Sequence, residues 1–94
     1  MHKETHKIEW RGIEIEIRFE SEYFRGMAHI EVRSVKPERA PLPITETGYR
    51  SHFMPMEEPE SFDVLAWAIA ELDRAAQSKR WQRHEEDSRQ SELF

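Results

Sequence analysis

From Ile13 to Glu20 the chain alternates without a fault: Ile13, Ile15, Ile17 and Phe19 are apolar, and Glu14, Glu16, Arg18 and Glu20 are charged. Only an extended strand, whose successive side chains point to opposite faces, sorts such a run into one dry and one wet surface. A helix would scatter the four large residues around its circumference. The segment therefore predicts a half-buried strand, and another part of the chain must cover its apolar face.

The neighbouring segments supply the rest of a sheet. Ile8 and Trp10 alternate with Lys7 and Glu9, and Arg11-Gly12 suits a tight hairpin turn because glycine tolerates positive φ. A third strand is predicted over Ala28–Ser34, with Ala28, Ile30 and Val32 inward and His29, Glu31 and Arg33 outward. The mixed Glu, Lys and Arg of the outward faces suit cross-strand charge pairs on a solvated surface. Ser21–Met27, with Tyr23 and Phe24, reads as a loop or wide hairpin end packed over the sheet edge.

All five prolines fall between Pro37 and Pro59, which marks the irregular part of the chain. Within it, Ile44–Phe53 has the β-branched and aromatic content of a fourth strand, and Gly48 inside it suggests a bulge or a close backbone approach. This segment carries Tyr49, Arg50 and His52. Neighbours on a strand face opposite ways, so Tyr49 and Arg50 do not converge as an acid–base pair, and the three are read as protein-binding residues.

After Pro59 the period changes. Phe62, Leu65, Ala66, Ile69, Leu72 and Ala76 recur at helical spacing, predicting one long helix from Ser61 to Ala76 on the sheet. Ser61 is the expected cap, and Glu57, Glu58, Glu60 and Asp63 gather where the helix dipole favours negative charge. Val64 and Trp67 fall off this stripe, so either the helix is buried over a wide arc or Trp67 meets a partner. Trp81 either extends the helix or packs back after a break near Gln77-Ser78. The expected architecture is α+β: an antiparallel sheet of three to four strands with one long C-terminal helix on one face. Residues 1–77 form a single domain, and residues 78–94 a polar helical extension or tail.

Composition narrows function mainly by exclusion. Without cysteine there is no disulfide scaffold, thiol catalysis or thiolate metal site. No apolar run reaches the length of a membrane span or signal core, so a cytoplasmic location is expected. Residues 1–36 hold seven acidic and seven basic side chains, and residues 37–94 hold twelve and seven. A clustered basic face is missing, which argues against direct nucleic-acid binding. His2 and His6 sit at a polar terminus leading into a strand, and the other histidines have no partner at ligand spacing, so no metal and no cofactor is expected. No nucleophile and base can be paired either, so no catalytic residue is assigned and the chain is read as a non-enzyme.

The chain closes with Gln90-Ser91-Glu92-Leu93-Phe94, an apolar pair at the end of a charged stretch. This resembles the short peptide by which bacterial DNA polymerases and repair proteins hook onto the replication sliding clamp. The resemblance implies that Leu93 and Phe94 fill an apolar pocket and that the Gln90 amide bonds at its rim. Ser91 stands where the commonest version carries leucine, so one apolar contact is missing. The alternative use of Leu93 and Phe94 is to fold back over their own helix.

Three further stretches, Ile8–Ile15, Ala28–Ser34 and Pro41–Phe53, resemble a family of small bacterial proteins often carried on mobile elements. No activity is known for that family, so the likeness implies a cytoplasmic accessory role without lending any site residue. Two functions are then expected to compete. One is an adaptor that binds another protein, with the sliding clamp as a candidate for its tail. The other is an acidic anti-defence inhibitor that occupies the basic groove of a host nuclease or nucleic-acid-binding complex with Glu57, Glu58, Glu60, Asp63, Glu85, Glu86 and Asp87. An edge strand left open is also compatible with a homodimer.

Overall fold

The computed structural model describes residues 2–92. Four strands, β1 (Lys3–Trp10), β2 (Ile13–Phe24), β3 (Met27–Lys36) and β4 (Tyr49–Pro55), form an antiparallel sheet in the order β1-β2-β3-β4. A single 3-10 turn at Pro59–Ser61 leads to helix α1 (Val64–Ala75), and helix α2 (Lys79–Glu92) follows. The α+β class is as expected. The single long helix is not, because the chain breaks between Ala76 and Ser78, where the Ser78 hydroxyl accepts from Trp81 N (3.2 Å) and restarts the helix.

Register shows why the strands form as they do. Ile8 lies opposite Ile15, Ile17 opposite Val32 and Phe19 opposite Ile30, and directly opposed residues of antiparallel strands share a face. Ile15, Ile17, Phe19, Ala28, Ile30 and Val32 are accordingly buried beneath the helices. On the open face Glu16 takes Arg18 from its own strand and Arg33 from the next, both at 3.0 Å, the pairing anticipated for a wet surface. His29 also faces that side, yet it is buried, because Phe53 stacks on it at 4.5 Å and its Nε2 lies 2.5 Å from Ser51 Oγ.

Both hairpins turn on the same dipeptide. Arg11-Gly12 has φ of 47° and 83°, and Arg25-Gly26 has 47° and 77°, the positive pair required by the two-residue turns that match strand twist. The second turn corrects the expected loop over Ser21–Met27. Strand β2 runs on to Phe24, and only Arg25 and Gly26 lie between the strands.

Helix α1 is capped by Asp63, whose carboxylate accepts from Ala66 N at 3.0 Å, rather than by Ser61. Its buried residues are Val64, Ala68 and Leu72. Ile69, expected in the core, is 41% exposed. The face is rotated because Phe62 precedes the helix, so the apolar count started outside it. Small Ala68 lets the helix axis approach a sheet already filled by isoleucine and phenylalanine.

Trp10 joins the layers. Its indole N–H donates to Asp73 on α1 (2.9 Å), and its ring lies 5.9 Å from Trp81 on α2. Arg11 sits over the Trp10 ring and reaches both Glu85 oxygens at 3.1 Å. Trp81 thus packs back onto the hairpin end after the break.

Candidate functional site

The fourth strand begins later than the sequence suggests. Leu42 and Thr45 close a tight turn on each other, with N···O distances of 2.8 and 3.0 Å, and the Thr45 hydroxyl donates to Tyr49 O at 2.8 Å. Ile44–Gly48 is thereby held as a loop, and pairing with β3 starts at Tyr49 opposite Arg33. Leu42 is buried and anchors this loop, leaving Pro43 and Ile44 at its tip.

Strand alternation then separates the three residues singled out in this region. Arg50 lies opposite Val32 and His52 opposite Ile30, so both stand on the helix-covered face. Tyr49 is on the open face, 45% exposed, as is Phe53 at 50% further along the strand. Arg50 and His52 therefore share a site, and Tyr49 does not belong to it.

That site is a groove of about 420 Å³ between β4, the Pro43-Ile44 tip and α1. The His52 ring lies 5.1 Å from the Trp67 ring, which explains why Trp67 falls off the buried stripe of α1. Arg50 donates one bond, to Ile44 O at 3.2 Å. Glu71 and Arg74, on the rim, are paired with each other. Among the described residues no carboxylate faces Arg50 within ion-pair distance, so most of its five N–H donors remain available. Trp67 was not among the residues assigned to binding, although a partner contact was left open for it. Its position one step off the apolar stripe was the available signal.

Across the Pro43-Ile44 tip lies a second cavity, of about 460 Å³, lined among others by Leu42, Trp81 and His84 and bordered by the Arg80–Glu46 ion pair. The Trp81 indole N–H is buried there without a partner among the described residues. Ser78 and His84 both line this second cavity, and among the described residues no hydrogen bond joins them. No group of three or more His, Asp or Glu among the described residues is placed to hold a metal ion, and no described helix is long and apolar enough to cross a membrane.

At the far edge of the sheet, alternation puts His2, Glu4 and His6 on one side of the chain, where Nε2 of His6 is 2.8 Å and Nε2 of His2 2.6 Å from separate Glu4 oxygens. These bonds, His6's foremost, hold the Glu4 carboxyl below its ordinary range. A carboxyl depressed in the folded state stabilises above its unfolded pKa, and that contribution is lost as pH falls through the lower folded value. The stability gap between the native chain and Glu4→Gln is therefore expected near neutrality and should shrink as pH falls below the ordinary carboxylate range. Urea midpoints measured across pH check this, and a gap that persists into strong acid would assign it to packing instead.

Gln90 lies within α2, and nothing is assigned to its side chain. Leu93 and Phe94 lie outside the described residues.

A four-stranded antiparallel sheet with two helices, and a groove of arginine, histidine and tryptophan at its edge, defines a small α+β domain. The chain belongs to the KlcB third domain family, whose model matches residues 3–81. That span takes in the whole sheet, α1, the groove and Trp81, and leaves out Gln90, Leu93 and Phe94. No curated protein and no solved structure matches the chain.

Proposed function

We propose that this domain is a non-enzymatic adaptor of the cytoplasm that binds another protein through the groove between β4 and α1. The observation that carries the reading is the convergence of Arg50, His52 and Trp67 on one side of an edge strand. Tryptophan and arginine are the residue types most concentrated at interface anchors. A groove that offers both, without a nucleophile, suits recognition better than turnover. The accessory setting on plasmids or integrated elements rests on the sequence resemblance alone. So does docking of Gln90, Leu93 and Phe94 on the sliding clamp, which gives the adaptor a second, weaker contact.

Pull-down from bacterial lysate separates the two contacts. The full chain is compared with an Arg50→Ala/Trp67→Ala variant and with a chain lacking its last five residues. Loss of the main partner only in the groove variant, and of the clamp only in the shortened chain, is the expected result. Equal capture by all three would overturn the reading. Binding of the tail to purified clamp should be micromolar or weaker, abolished by Leu93→Ala with Phe94→Ala, and strengthened by Ser91→Leu.

The anti-defence reading has one observation in its favour. Glu57, Glu58, Glu60 and Asp63 are all exposed around the link from β4 to α1, and no basic side chain pairs with them among the described residues. Against it, Glu85 is engaged by Arg11, and the open face of the sheet is of mixed charge. Changing Glu57, Glu58 and Glu60 to Gln would abolish such an inhibitor and leave the adaptor intact.

A further inference from the structure

We infer that the segment recognised by the β4–α1 groove is acidic: it presents a carboxylate to Arg50 with an apolar side chain beside it for Trp67. This rests on the adaptor reading and names the chemistry of its partner. The whole chain carries a formal charge of −5, yet the groove has the opposite balance, with Arg50 and Arg74 against Glu71 alone. Arg74 is occupied by Glu71. Arg50 is the guanidinium left with capacity, since its one bond goes to a neutral carbonyl, Ile44 O.

Geometry favours a carboxylate over a second neutral group. The guanidinium fork matches two carboxylate oxygens, and charge-assisted bonds are roughly twice as strong as neutral ones. The arginine is itself exposed and lines the groove with half-buried His52 and Trp67, so its guanidinium is open to an incoming carboxylate. The Trp67 ring offers an apolar surface at the same point, so an acidic residue next to a large apolar one fills both needs. On an acidic protein, a distant acidic partner would be repelled, and only a short segment that places its carboxylate in this groove gains from it. That gives selectivity through charge placement rather than through total charge.

The test uses two peptides on the full chain, acetyl-Glu-Ile-Leu-amide and acetyl-Gln-Ile-Leu-amide, followed by the Arg50 Nε–H and Trp67 indole N–H resonances. The Glu peptide should shift both signals saturably and bind about tenfold more tightly than the Gln peptide. Arg50→Gln should erase the difference while the remaining spectrum stays folded. Equal affinity of the two peptides at the groove overturns the carboxylate inference and leaves the groove as a protein contact. Absence of any groove shift up to about 5 mM peptide overturns both. Competition by inorganic phosphate as strong as by the Glu peptide would make this an anion site without protein selectivity, which also overturns the inference.

Discussion

Truncating Phe19 to alanine is expected to lower the stability of this domain by about 3–5 kcal/mol, the cost of deleting a large buried aromatic and leaving a cavity. Phe19 is 1% exposed and sits between Ile30 on β3 and Phe62, whose ring is 5.5 Å away. Phe62 closes the core at the entry to α1, so the cavity would loosen the sheet and its cover together. A domain of this size has only about 5–15 kcal/mol of stability in all. Thermal unfolding followed by circular dichroism should show a drop of roughly 15–30 °C. Phe19→Leu, which keeps most of the volume, should lose less than half as much. Similar losses in both variants would mean that the site collapses around either side chain and that Phe62 is not held by Phe19.

The strands were legible because a period of two has one physical cause. Every inward residue of Ile13–Phe19 and Ala28–Val32 is where alternation placed it. The second hairpin was less legible. Tyr23 and Phe24 drew attention to a loop, while the Arg-Gly pair that makes the first turn is repeated at Arg25-Gly26. Helix α1 was recognised from its apolar spacing, and Leu72 and Ala76 are in the core as placed, but Ala66 and Ile69 are exposed and the buried face is turned toward Val64 and Ala68. The burial pattern at intervals of four, Val64, Ala68 and Leu72, includes an alanine that carries no signal until the sheet beneath it is known.

The site was legible only in its parts. Arg50 and His52 were visible as polar residues on a strand, but their face depends on register with β3, and register is set by Gly48 and the Leu42–Thr45 turn rather than by the strand itself. Once Ile30 lies opposite His52, the histidine must face α1, and Trp67 becomes its neighbour. Pairing between distant segments decided the site, and no local pattern contains that information.

Gly48→Ala should be the most damaging glycine substitution in the chain, and comparison with Gly12→Ala isolates the reason. Both glycines have positive φ, 76° and 83°, so each replacement incurs about 1–2 kcal/mol of left-handed strain. Around Gly12 a new Cβ meets nothing within 4 Å, and the cost stops there. At Gly48 it would stand 2.6 Å from Arg39 C, 2.7 Å from Arg39 Cα and 2.9 Å from Ala40 O. These are backbone atoms of a segment that is itself pinned, since Ser34 Oγ donates to Ala40 O at 2.6 Å and Ser34 N donates to Gly48 O at 2.8 Å. To admit the methyl group, the loop must move away from the end of β3 and break one of those bonds, leaving a buried polar group unpaired at about 1–3 kcal/mol. Gly48→Ala should therefore exceed Gly12→Ala by at least about 2 kcal/mol in urea unfolding. It should also shift the amide resonances of Arg50 and His52, because the same loop carries the Pro43-Ile44 wall of the groove. Equal losses in the two variants would show that the 39–48 loop yields freely and that Gly48 does not set where β4 begins.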